Sequence, residues 1–354
     1  MLNNRYEIRL AERSDHPALV AFLDQHWKKN HVFTYSKRLL DWQHFDKQRN
    51  VYNFVLGAKR GTGEIHGILG FIRLSQFDNL GIEPTRLCWM AIWKIQEAAA
   101  GFGLGRQLLS YIEETIMPET ISTVGASEMT LRMYQARNYA TGRLNQYFIL
   151  SPYKSTYELA SAPQQGLPRI DDPSHSSKKR LIEISKSEIR RCAGIFLSQV
   201  ELPVKSPDYM VNRYLRHPFY RYSVYAIRDG LTTAGLVVIR ICAQGNARAL
   251  RIVDFIGPSE ALRGLEPDWF SLLKTTGAEY VDFFNAGIED QHLRESGFSL
   301  RTEKDKIIVP NYFEPFVRSN IDIHYAIRAP SGKKFRIVKG DSDQDRPNLV
   351  TDAS

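Results

Sequence analysis

Three glycines at alternate positions, Gly101, Gly103 and Gly105, end an apolar run that begins at Trp89, and Arg106 follows at once. Residue types in this order suit phosphate chemistry. Glycine lets a backbone turn tightly and approach a ligand. The apolar spacing from Leu104 onward predicts a helix opening there, and the first N–H groups of a helix have no partner within it. Those donors and the helix dipole form an anion site. The segment reads as a pyrophosphate cradle, with Phe102 and Leu104 between its glycines. Its spacing is neither the G-x-G-x-x-G of a dinucleotide fold nor the G-x-x-x-x-G-K-[ST] of a P-loop.

Other groups that could do chemistry stand close by in sequence. Glu97 is the nearest carboxylate after Ile95, and His26 and His31 flank Trp27-Lys28-Lys29-Asn30. Histidine titrates near neutrality. Trp89 and Trp93, with Ala91 between them, would share one face of a strand, and an aromatic face can pack in a core or stack on a sugar or base.

The elements that must hold these groups follow from periodicity and turn signals. Tyr6 to Ala11 predicts a strand, and Ser14-Asp15-His16-Pro17 a helix start. Leu19, Val20, Phe22, Leu23 and Trp27 continue that helix, and Leu39, Leu40 and Trp42 predict a second. Asn53 to Lys59 and Ile65 to Leu74 predict a hairpin around Arg60–Glu64. Arg86 to Ile95 predicts the strand leading into the glycines, and Gly103 to Ile116 the helix after them. Ile121 to Ala126, Met129 to Ala136 and Tyr147 to Leu150 predict a strand, a helix and a strand that closes the sheet.

This order, with Ala100–Gly105, resembles the GNAT superfamily of N-acetyltransferases, whose acyl-CoA loop reads R/Q-x-x-G-x-G/A. Ala100 stands where the family has Arg or Gln. Leu131–Tyr139 resembles the family's L-Y-x-x-x-G-F segment, with Asn138 and Tyr139 for the Gly and Phe. The resemblance implies a mixed, mostly antiparallel sheet flanked by helices (an α/β, or α+β, fold). It implies acetyl-CoA, or another acyl-CoA, held by Trp93, Ile95, Gly101, Phe102, Gly103, Leu104, Gly105 and Arg106, without a metal. It implies direct attack by an amine on the thioester, a strand N–H near Ile95 stabilising the oxyanion, and Tyr134 protonating the departing thiolate. Glu97, His31 or His26 would take the proton from the amine, and Trp27 and Trp89 would line the acceptor.

The chain of 354 residues is long enough for two such domains. A Pro/Ser-rich stretch, 152–180, predicts a linker between a domain at 1–151 and another at 181–330, with a polar tail at 331–354. Within the second, a helix from Lys186 to Gln199, strands at Val224–Ile227, Leu236–Ile241, Leu250–Ile256 and Tyr280–Phe284, and Ser296-Gly297-Phe298 repeat the first domain's order. Gly257-Pro258-Ser259-Glu260-Ala261 lacks a G-x-G cradle, so this copy would shape the acceptor site. Arg213 and Arg216, among the aromatics of 212–222, suit the phosphates of a nucleotide. The tail Asp341–Asp345 is either solvated or paired with basic surface.

A net charge of +8 leaves nucleic acid, lipid or phosphorylated substrates open, but no nucleic-acid motif is present. No apolar run approaches the ~20 residues of a membrane span, the first residues lack a signal-peptide core, and Cys88, Cys192 and Cys242 are spaced as reduced cytoplasmic thiols. The expectation is a cytoplasmic N-acetyltransferase acting on a small-molecule primary amine. The best guess for the acceptor is a nucleotide-linked amino sugar of surface-polysaccharide synthesis. The alternatives are a non-catalytic acyl-CoA sensor and an aminoacyl transferase of the peptidoglycan-bridge type.

Overall fold

A computed structural model describes residues 5–78, 87–101, 103–163, 178–304 and 306–350. Arg86, Phe102 and residues 164–177 of the expected linker lie outside the described residues. The chain divides into two compact units, Met1–Thr141 with Ala326–Ser331 and Arg346–Ser354, and Gly142–Tyr325 with Gly332–Asp345.

The elements, in chain order, begin with β1 (Tyr6–Glu12), α1 (His16–Phe22), α2 (Val32–Tyr35), α3 (Lys37–His44), β2 (Phe45–Asp46), β3 (Val51–Lys59) and β4 (Ile65–Arg73). Next come β5 (Leu87–Ile95), α4 (Leu104–Tyr111), β6 (Thr120–Val124), α5 (Glu128–Gln135), β7 (Ala140–Arg143) and β8 (Asn145–Leu150). The later part holds β9 (Lys179–Glu183), α6 (Lys186–Arg191), α7 (Ala193–Leu197), α8 (Pro207–Met210), β10 (Tyr222–Asp229), β11 (Thr232–Gln244), β12 (Ala247–Ile256) and α9 (Glu266–Thr276). It ends with β13 (Tyr280–Ala286), α10 (Asp290–Arg294), β14 (Ser299–Leu300), β15 (Tyr312–Phe313), β16 (Phe316–Val317), β17 (His324–Arg328) and β18 (Ile337–Val338).

One sheet has the order β1-β3-β4-β5-β6-β17-β7, with β2 on β3; the other has β14-β8-β13-β12-β11-β10-β9, with β18 on β13. In the first unit β4 is buried along its whole length, as its near-continuous apolar sequence requires. The glycine-capped helix α4 seats Leu104, Leu108 and Leu109 against Val55, Leu69, Phe71, Met90 and Ile121. In the second, Trp269 and Leu273 of α9 pack with Val237, Ile252, Val281 and Phe283. Each buried Leu or Phe of this kind contributes about 1.5–3 kcal/mol. The architecture is mixed α/β, two tandem helix-flanked sheets, as the sequence implied.

Three expectations change. Tyr147–Leu150 does not close the first sheet: it pairs with β13 from Tyr280↔Leu150 to Asn285↔Asn145. Its place is taken by β17, from almost the far end of the chain. The helix expected over Lys186–Gln199 breaks at Cys192, whose non-helical backbone separates α6 from α7. The acidic tail takes the paired alternative, not the solvated one, but its cations are buried and not on the surface. Asp341 and Asp345 are buried, because Lys205 and Arg240 neutralise them at 2.9 and 2.6 Å.

Candidate active site

The site begins with an irregularity in β5. Opposite β4, Trp93 pairs with Leu69 and Met90 with Phe71, so three steps on β5 face two on β4. The extra residue is a β-bulge at Ala91–Ile92. On its other side β5 runs parallel to β6 only from Leu87↔Thr120 to Met90↔Thr123. From Ala91 to Ile95 the register gives β5 no partner on β6. The two strands part in a wedge, and the unpaired edge offers backbone N–H and C=O groups to whatever enters it.

The bulge also corrects the reading of the tryptophans. An extra residue inverts the alternation of faces. Trp93 lies with Leu69, Phe71 and Met90 on the α4 side, while Trp89, opposite Ile72, is buried on the other face. They do not form one aromatic face.

The glycine segment stands at the wedge's end. Gly101 and Gly103 have φ of +82° and +72°, and a Cβ on either would meet nothing within 4 Å. They are needed for the left-handed turn that delivers the chain into α4, with Gly103 as its N-cap. Gly105 has another role. A Cβ there would lie 3.5 Å from the Trp93 indole and 3.7 Å from Ile95, so the helix's first turn rests on the strand. Gly101, Gly103 and Arg106 are exposed and Leu104 is buried. The open turn and the unpaired N–H groups of the first turn of α4 fit a pyrophosphate.

Tyr134, on α5, is 1% exposed. Its ring meets Trp93 edge-on at 5.8 Å and Tyr139 at 4.9 Å. Burial holds the phenol well above its ordinary pKa. The phenol therefore keeps its proton at neutral pH. Beneath it, Glu113 binds Arg137, Arg328 at 2.8 Å and the Tyr139 hydroxyl at 2.9 Å.

The expected bases separate. Glu97 opens a short 3-10 turn after β5 and is exposed. His26 is half-buried, its ring 4.8 Å from Phe22, and Trp27 beside it is 41% exposed. His31 is buried, and its Nδ1 accepts from the Phe33 N–H as the N-cap of α2. Burial, with Arg346, Lys28 and His44, lowers its pKa to about 3. The acceptor nitrogen is occupied, so His31 is a structural histidine.

Arg213 and Arg216 do not form a phosphate clamp. Arg213 is buried in the second unit and donates to the carbonyls of Ser342 at 2.6 Å and Gly340 at 3.3 Å. Arg216 is exposed and bonds Asn212 four residues back. Sequence reasoning missed Glu113. A glutamate in a helix is ordinary there, and only its partners show its role. Among the described residues no group of His, Cys, Asp or Glu could hold a metal, and no helix is long and apolar enough to cross a membrane.

No protein-family model matches the chain, and no curated protein matches it. Solved structures do. The chain is similar to a GCN5-related N-acetyltransferase from Anabaena variabilis, with a TM-score of 0.55 at 13% identity over 92% of this chain and 72% of that one. It also aligns with a GCN5-related N-acetyltransferase from Sphaerobacter thermophilus over 99% of both chains, at 14% identity and a TM-score of 0.41. The first of these shows the fold: helix-flanked mixed sheets like those of that GCN5-related N-acetyltransferase.

Proposed function

We propose that the protein is an acyl-CoA-dependent N-acyltransferase, most simply an acetyltransferase, acting on a primary amine. The observation that carries this reading is one juxtaposition. The wedge after Met90↔Thr123 adjoins the glycine turn capping α4, and the buried, protonated Tyr134 packs edge-on against Trp93 of the parted strand.

Each part has a task. Gly101, Gly103 and the first turn of α4, with Arg106, hold the pyrophosphate. The free edge of Ala91–Ile95 suits an arm carrying amides, and one of its N–H groups near Ile95 stabilises the oxyanion. The thioester supplies the activated acyl group when bound. Glu97, through water, takes the amine's proton, with His26 the alternative. Tyr134 gives its proton to the leaving sulfur, because a thiolate expelled into a buried site needs one.

Arg213 no longer argues for a nucleotide, so a nucleotide-linked amino sugar is one member of the acceptor panel among small amines and amino acids. The glycine cradle favours this reading over aminoacyl transfer from tRNA. Calorimetry with acetyl-CoA and a thiol-release assay across the amine panel test it. Binding with turnover supports the enzyme. Binding with no turnover on any amine favours a sensor, and no binding overturns both.

A further inference from the structure

Tyr134 is held at two points, and both lead to one carboxylate. Its ring meets that of Tyr139 at 4.9 Å. Its carbonyl accepts the backbone N–H of Arg137 at 2.9 Å and of Tyr139 at 3.1 Å. Glu113 binds the side chains of those same two residues, the Arg137 guanidinium and, at 2.9 Å, the Tyr139 hydroxyl. It also takes Arg328 of β17 at 2.8 Å, whose guanidinium lies 5.1 Å from the centre of the Tyr139 ring. Asn138, between the two bonded residues, has a left-handed backbone with φ +61°, a turn that the bonds around it must hold. Glu113 itself stands in Ile112–Ile116, the turn that extends α4 beyond Tyr111. Its side chain is 11% exposed, so water competes little for these bonds. One carboxylate thus ties the helix of the glycine turn, the end of α5 and β17 together.

We infer that Glu113 is the positioning residue for the proton donor of the proposed acyl transfer. It does not touch the reacting atoms. It acts through Tyr139 and Arg137, which set the ring and the backbone of Tyr134. Without the carboxylate, Arg137 and Arg328 repel each other, the Tyr139 ring loses its anchor, and the phenol drifts. A displacement of about 1 Å at a catalytic group costs about a hundredfold in rate. The pyrophosphate cradle is spared, because it lies at the other end of the helix, about two and a half turns away.

The inference rests on the acyltransferase reading, and the experiment separates the two. Glu113→Ala removes all three bonds. Its kcat in thiol release should fall about ten- to hundredfold, with acetyl-CoA affinity by calorimetry unchanged. Glu113→Gln, which can still accept from Tyr139, should recover part of the rate. In a Tyr134→Phe background, Glu113→Ala should cost little further, since the group it positions is gone. Wild-type-like kcat in Glu113→Ala overturns the inference alone. So does an undiminished further loss in the double variant, which would mark a merely structural carboxylate. If Glu113→Ala does not fold, Tyr139→Phe goes through the same cycle. It keeps the ring, removes one bond, and should cost about two- to tenfold in kcat. No turnover by the wild type on any amine overturns the acyltransferase reading, and this inference with it.

Discussion

Both sheets open where a central strand parts from a parallel neighbour, and the two openings are treated in opposite ways. In the first unit β5 and β6 separate after Met90↔Thr123, and among the described residues the edge from Ala91 to Ile95 has no partner strand on that side. In the second, β12 and β13 separate after Ile252↔Phe283, but the opening is filled. β18 pairs there with Asn285 and Ala286, Lys339 N–H donates to Phe284, and Gly340 N–H to Val253 at 2.8 Å. The chain's own late segment satisfies both strands. Lys205, in contact with Asp254 and Asp341, and Arg240, paired with Asp345, hold it there. The same device is the proposed binding site when left open and a structural joint when plugged, and among the described residues the glycine turn accompanies only the open one.

The comparison can be broken in several ways. The largest effect is expected in the open wedge. Tyr134→Phe should lower kcat by about 10²–10⁴-fold while leaving acetyl-CoA binding intact, and an unchanged kcat would leave the open wedge without its acid. In the filled wedge, Lys205→Met leaves buried carboxylates unpaired and should cost about 3–5 kcal/mol in chemical denaturation. A cost under about 1 kcal/mol would mean that the plug is not held by charge.

Gly340→Ala sharpens the same point. Its Cβ would lie 2.5 Å from the Val253 carbonyl and 2.6 Å from the Tyr214 hydroxyl, so the plug must shift and the melting temperature fall. Calorimetry should still give one acetyl-CoA per chain, as for the wild type, and two sites in the wild type would refute the plugged reading. Gly103→Ala forces a side chain into the left-handed region at about 1–2 kcal/mol. It should weaken acetyl-CoA roughly tenfold with little change in kcat.

The smallest effect is a pH dependence. Lys339, buried within the plug, has its pKa lowered to about 7, first by burial and then by Arg251, with Asp282 and Asp345 opposing. Unfolded, it titrates near 10.4. Between those values the unfolded chain binds the extra proton, so stability contributed by this group rises from pH 7 toward pH 10 and is flat below. Lys339→Met should flatten that rise in denaturation curves taken across the window.

Much of this was legible in the residues alone. The glycine turn, the helix after it and Tyr134 on α5 were readable because turn chemistry and helical periodicity are local properties. The hairpin of β3 and β4 was readable for the same reason. The single-face reading of Trp89 and Trp93 failed because alternation assumes a regular strand, and the bulge is set by pairing with β4. Arg213 was misread because its partners, Gly340 and Ser342, lie far along the chain, and nothing around position 213 reports them.

The sequence by itself determined which segments turn, which coil and where an anion could be cradled, since backbone sterics and short-range periodicity act over a few residues. Only the tertiary structure decided that β8 leaves the first sheet for the second, that β17 replaces it, and that one wedge stays open while the other is filled. Those outcomes depend on which distant strand best satisfies an exposed backbone edge and a buried charge. That competition is settled only when the whole chain has collapsed around it.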